Sequence, residues 1–135
     1  MRLVIDANPF ISGFLRDSAT RKIMLSEKIQ LYSPDWMKDE FERNEEGLKK
    51  KFPASADFAE TKKILFSFVT LVPAAYYEEL LEDARNLTPH SKDVPYFALA
   101  LQMKCPLWSA EKEFKKQSRA KIFSTAELLK ELHFH

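Results

Sequence analysis

Met1-Arg2-Leu3-Val4-Ile5-Asp6-Ala7-Asn8-Pro9 opens the chain, and its reading decides the fold. Leu3, Val4 and Ile5 make a short apolar run of the kind that suits a strand buried on both faces, the usual state of a central strand in a parallel sheet. The run stops at a carboxylate. Asn8-Pro9 then reads as a helix start, with Asn8 able to cap and Pro9 where a missing N–H costs nothing. Asp6 is therefore predicted at the carboxyl end of a buried strand, the edge at which open α/β sheets bind ligands. A turn residue feeding an N-cap has the same local signature. The functional reading depends on whether other acids reach that edge.

Downstream, strand and helix patterns alternate. An apolar helix over Phe10 to Leu15 is expected to break at Gly13, and Ser18 or Thr20 to cap a second helix reaching Ser26. Ile29 to Tyr32 reads as the second strand, and Ser33-Pro34 as a cap-then-proline start for a charged helix running to about Lys51. Ser55 is expected to cap a helix carrying Phe58, Ile64, Leu65 and Phe68 at helical spacing. Val69 to Val72 is the third strand, followed by a helix through Tyr77, Leu80, Leu81 and Ala84. Pro95 is tolerable only in a first helical turn, which puts Asp93 at the start of an apolar, buried helix through Leu101. Pro106 to Ser109 and Lys121 to Phe123 are the fourth and fifth strands, and Ser124 to Glu127 has capping-box spacing. His133 and His135 read as surface residues. The alternation predicts an α/β fold: a three-layer α/β/α arrangement with a central, mainly parallel sheet of about five strands.

A length of 135 residues predicts one domain, 1–135. Two glycines against eleven phenylalanines leave no Gly-rich phosphate cradle. Twenty-one basic and twenty acidic side chains give a net charge of +1, so the overall balance does not announce a nucleic-acid binder. Cys105 stands alone, which excludes an internal disulfide, and is expected to be a small buried hydrophobe. The chain starts on a core strand with no leader pattern, and no apolar run approaches a membrane span; a cytoplasmic protein is expected.

Several acids share a position type. Asp6 ends strand one, Asp93 opens the buried helix before strand four, and Glu111 and Glu113 follow strand four. Glu40, in the second turn of the helix after strand two, can lean over the same edge. If strands one and four are neighbours, Asp6 and Glu111 face one crevice. Acids gathered there raise one another's pKa unless a cation sits among them, and oxygen-only ligands suit Mg²⁺ or Mn²⁺. Singly, each acid has an ordinary alternative: solvated helix face for Glu40, N-cap for Asp93, first-turn acid for Glu111 and Glu113.

The same residues carry a resemblance to PIN-domain proteins, small Mg²⁺- or Mn²⁺-dependent ribonucleases that include toxins of prokaryotic toxin–antitoxin pairs. The matching motifs are Asp6-Ala7-Asn8 after the first strand, Glu40 after Leu31-Tyr32-Ser33-Pro34, Asp93 leading Val94 to Leu101, and Trp108-Ser109-Ala110-Glu111. They run in the family's order over essentially the whole chain. The resemblance implies an acidic metal site of Asp6, Glu40, Asp93 and Glu111, supported by Asn8 and Ser109, with Glu113 a further possible ligand. Two features depart from the family: Glu111 and Glu113 stand where Asp is usual, and the loop near His90 lacks an acid often found there.

The resulting expectation is an endoribonuclease in which Asp6 and Asp93 anchor the metal and Glu111 completes or orients its shell. Glu40 serves as ligand or as acceptor of the attacking water's proton. Arg16, Arg21, Lys22 and Lys112 are candidates to hold RNA phosphates. The alternative is a catalytically weak or inactive PIN-fold module that binds RNA or protein. A metal-dependent phosphatase or a DNA flap nuclease shares the acidic-crevice logic as a third reading. A small antitoxin protein and a homodimer are partners implied by the resemblance alone.

Overall fold

A computed structural model describes residues 1–134. Five strands form one parallel sheet in the order β3-β2-β1-β4-β5: β1 (Arg2–Ile5), β2 (Gln30–Pro34), β3 (Val69–Val72), β4 (Leu107–Trp108) and β5 (Ile122–Phe123). Leu3, Val4 and Ile5 are fully buried in the central strand, as their run predicts. β1 pairs with β2 through Leu3 opposite Leu31 and with β4 through Ile5 opposite Trp108. The chain first builds outward through β2 and β3, then crosses to the other side of β1. The β1/β4 border is therefore a topological switch point, where a crevice opens outside the strand ends.

Helices cover both faces. One layer gathers α1 (Ala7–Leu15), α2 (Ala19–Met24), α3 (Trp36–Arg43), α4 (Glu45–Lys51), α5 (Phe58–Ser67) and α8 (Thr125–Glu131). Its core is aromatic: Phe14 lies edge-on to Phe41 and Phe58 at 5.0 Å each, and Phe10 and Phe41 both contact Phe66. Such pairs contribute about 0.5–1.5 kcal/mol each beyond the area they bury. On the other face α7 (Val94–Met103) packs against β1, β2 and β4, with α6 (Leu81–Arg85) beside it. Its Val94 and Tyr96 to Ala100 are all buried, as an apolar helix requires. A capping box of Ser124 and Glu127 opens α8 as expected.

Several local expectations are corrected. Gly13 does not break α1; it lies buried inside it, where a Cβ would stand 2.3 Å from Met24 Sδ, so the glycine permits close packing of α1 on α2. Ser33 and Pro34 belong to β2, with Ser33 Oγ donating to the Ile5 carbonyl at 3.1 Å, and the helix begins only at Trp36. The charged helix is two helices, interrupted at Asn44, whose side-chain amide donates to the Glu40 carbonyl. Asp57, not Ser55, caps α5, and Ile64 and Phe68 are exposed although they share helical spacing with buried Leu65. The helix expected through Tyr77 is two 3₁₀ turns followed by the short α6. Cys105 is half-buried rather than buried. His133 is exposed, and His135 lies outside the described residues. No helix among the described residues is long and apolar enough to cross a membrane.

Candidate functional site

At the switch point the ends of β1 and β4 are stitched together by side chains. Asp6, rather than Asn8, is the N-cap of α1; its Oδ1 accepts from the Ala7 N–H at 2.8 Å. Its Oδ2 accepts from Ser109 Oγ at 2.8 Å, across the β1/β4 border. Ser109 Oγ accepts in turn from the Glu111 N–H at 3.0 Å. Asn8, released from capping, donates through Nδ2 to Glu111 Oε1 at 2.9 Å. Asp6, Ser109, Glu111 and Asn8 are thus linked in a chain of hydrogen bonds across the β1/β4 border.

Asp6 is 4% exposed. Burial pushes its carboxyl up to about 6, and the nearby Asp93 and Glu40 charges add to the rise, while the bonds from Ser109 and Ala7 oppose it. Asp93 precedes α7, with Pro95 in the first turn, yet its side chain makes no capping bond. It is half-buried, and burial raises its carboxyl; Lys92 and His90 pull against this and Glu111 adds to it. Glu40, the fifth residue of α3, is half-buried and accepts from Tyr96 Oη at a long 3.4 Å.

These acids line one cleft of about 200 Å³ with Asn8, Glu113, Tyr96, His90 and Lys92. Glu113 lies 3.8 Å from His90 Nε2, an ion pair only when the imidazole is protonated. Among the described residues, no three His, Cys, Asp or Glu side chains stand close enough together to hold a metal ion as a group. The carboxylates ring the cleft rather than meet at a point. Their donor chemistry nonetheless fits Mg²⁺ or Mn²⁺, being all oxygen, with a buried acid whose charge is undercompensated.

The basic candidates part company with the cleft. Arg21 is engaged at the end of α1, donating to the carbonyls of Gly13 and Phe14 at 2.7 and 2.8 Å. Arg16 follows the last residue of α1, about 13 Å of helix beyond Asp6. Lys22 lies over the Phe134 ring. Lys112 is exposed, between Glu111 and Glu113 in sequence but not in the cleft wall. The cations that do line it are Lys92 and, when protonated, His90.

Tyr96, like Lys92, is a cleft residue that sequence reasoning passed over. It is 1% exposed, and burial, then the Glu40, Asp6 and Asp93 charges, push its hydroxyl far above the ordinary range, so it keeps its proton and donates. The signal was its spacing three residues after Asp93, which places both on one side of α7. It was masked by an apolar helix in which a tyrosine reads as core.

No curated protein matches this chain. Among solved structures, a chain from the crystal structure of VapBC2 from Rickettsia felis, bound to a DNA fragment from their promoter, matches with a TM-score of 0.67. The match covers 92% of this chain and 98% of that one at 13% identity, a likeness of fold. The family model described as PIN domain matches residues 4–133, spanning every strand from within β1 to β5 and each acid of the cleft. With the family match running nearly end to end, this chain belongs to the PIN domain family.

Proposed function

We propose that residues 1–135 form one domain that acts as a metal-dependent endoribonuclease, hydrolysing RNA phosphodiester bonds as the toxin of a toxin–antitoxin pair. The observation that carries this reading is the buried Asp6 carboxylate at the β1/β4 switch point, in one cleft with Glu40, Asp93 and Glu111 and with its pKa raised by burial and by the Asp93 and Glu40 charges. Asp6, Asp93 and Glu111 would hold Mg²⁺ or Mn²⁺, with Glu113 a further ligand once released from His90. A divalent ion there supplies neutralisation of phosphate charge and a water of lowered pKa.

The chain's own residues supply the rest. Ser109 holds Asp6 at Oδ2, and Asn8 holds Glu111, so both carboxylates are oriented from behind. Glu40 accepts the proton of the attacking water while Tyr96 fixes its Oε1. Water adds to phosphorus as the bond to the leaving ribose oxygen breaks; that oxygen takes a proton from solvent, and Glu40 returns its own proton to solvent. Lys92 at the cleft wall and Lys112 beside it attract the substrate's phosphates.

A labelled mixed-sequence RNA, incubated with purified protein and Mn²⁺, Mg²⁺ or chelator, tests this. Metal-dependent cutting that disappears in both Asp6→Asn and Asp93→Asn is expected; equal cutting by wild type and variants overturns it. The second reading, a PIN-fold module that binds RNA or protein without cutting, is favoured by the ring-like spread of the carboxylates and by Glu111 being tied to Asn8. Absence of Mn²⁺ binding by calorimetry at millimolar metal is the result that selects it. A toxin role further predicts growth arrest on expression without an antitoxin.

A further inference from the structure

The chain is nearly neutral, but its positive charge is unevenly spent. Residues 109–121, which connect β4 to β5, contain Lys112, Lys115, Lys116, Arg119 and Lys121 against two acids, Glu111 and Glu113, both at the cleft end. The connection leaves the carboxyl edge of the sheet beside Glu111 and returns to the amino edge at Lys121, because β5 is parallel to β4. It is pinned to α7 by Phe114, whose ring lies 4.7 Å from that of Phe97. The ten residues of α7 span about 15 Å, so the basic segment descends by a similar distance from the acidic cleft.

At its lower end two surface clefts adjoin, sharing Arg119, Ala120 and Lys121; their volumes are about 380 and 510 Å³. Lys115 lines one and Lys104, at the end of α7, lines the other. The one carboxylate in either wall is Glu127, already paired with Lys115. Arg119 reaches Asp83 at 3.4 Å, with both side chains about half exposed, a pairing that water and salt weaken. Lys104 and Lys121 have no carboxylate within ion-pair distance among the described residues. A cation at a helix C-terminus is favourable by itself and accounts for Lys104. It does not account for Arg119 and Lys121 converging on the same hollow.

We propose that the paired clefts at Lys104, Arg119 and Lys121 bind the phosphate backbone of single-stranded RNA, extending the substrate path from the acidic cleft along the β4–β5 connection. The choice of RNA rests on the nuclease reading; the surface itself is read from charge and shape. Flexible cations over hollows suit contact with the phosphate backbone, which tolerates any sequence. Such a track gives a nearly neutral protein a local cationic surface that can hold a polyanion.

The test is binding of a labelled mixed-sequence single-stranded RNA in chelator, by anisotropy, across a salt series. Each phosphate contact in a single strand contributes about 0.7 to the slope of log K against log salt. Lys104→Gln/Arg119→Gln/Lys121→Gln is expected to weaken binding and flatten the slope by about 2. Lys104→Gln/Lys121→Gln, which breaks no ion pair, is expected to flatten it by about 1.4. An unchanged slope and affinity in both variants, with wild-type melting, overturns the proposal and leaves an acidic protein as the occupant to seek. The measurement needs no catalysis. A wild type that binds with the expected slope but cuts nothing defeats the nuclease reading and not this one; a variant that binds like a cutting wild type does the reverse.

Discussion

Asp6→Asn should stabilise the protein at neutral pH, by an amount the site itself fixes. Asp6 titrates near 6 in the folded chain against an ordinary 3.8, so the folded state holds this proton more tightly than the unfolded state does. Its ionisation costs nothing below pH 3.8. The cost grows between 3.8 and 6 and is complete above that, where the difference corresponds to about 3 kcal/mol. Asparagine removes the charge but keeps an oxygen for the Ala7 N–H, and loses the ionic acceptor for Ser109, a loss of about 1 kcal/mol. The net gain above pH 7 is about 2 kcal/mol, roughly 6–10 °C in Tm for a chain of this length. It should vanish or reverse at pH 4. Denaturant unfolding of both proteins in chelator at pH 4 and 7.5 checks this. A variant less stable than wild type at pH 7.5, or a difference that ignores pH, would refute the idea that burial and neighbouring acids dominate Asp6. Adding Mn²⁺ should then raise the wild-type midpoint and leave the variant's nearly unchanged.

Three further outcomes follow from other elements. Tyr96→Phe leaves the buried ring in place and deletes only the donor to Glu40, so stability should move by no more than about 1 kcal/mol; RNA cutting should fall roughly five- to tenfold in kcat with KM unchanged, and an unaltered kcat would remove Tyr96 from the site. The two glycines should respond with opposite signs to alanine. Gly13→Ala meets Met24 Sδ and should lose about 1 kcal/mol net, since overpacking costs about 1–3 kcal/mol against a helix gain of about 1 kcal/mol, whereas Gly47→Ala enters open space and should gain about 1 kcal/mol; thermal melts distinguish them. Ser124→Ala breaks the capping box of α8 and should cost about 1 kcal/mol in denaturant unfolding.

What the residues reveal in advance are features whose cause is local or periodic. The central strand, the parallel alternation, the buried helix behind Asp93 and the capping box at Ser124 all follow from runs and spacings that neighbouring residues alone satisfy. The errors fall where tertiary contacts override a local signal. Ser33-Pro34 looks like a helix start, but pairing of Pro34 with Val72 keeps it in the sheet. Gly13 looks like a break, but α2 needs its missing Cβ. For the cleft, the type of acid and its place at a strand end are visible, since a carboxylate ending an apolar strand is an unusual event. Which cations stand nearby is not visible. Arg21 has the same sequence appearance as Lys92, yet one closes a helix and the other lines the cleft. Tyr96 was hidden because an apolar helix offers no local clue to which ring carries a useful hydroxyl.

The bond from Ser109 to Asp6 joins residues 103 positions apart in sequence, and so does the one from Asn8 to Glu111. The cleft is consequently a late event in the life of the chain. During synthesis the first half of the site emerges with β1, but its other wall does not exist until β4 has been made and docked beside it. A growing or truncated chain ending before Trp108 has Asp6, Glu40 and Asp93 but lacks the wall carrying Glu111 and Glu113 and the Ser109 bond to Asp6. Contacts this distant in sequence also slow folding. Whatever chemistry the crevice performs is therefore withheld until β4 and the turn carrying Glu111 have been made and docked. Arrival of β4 becomes the first control on that chemistry.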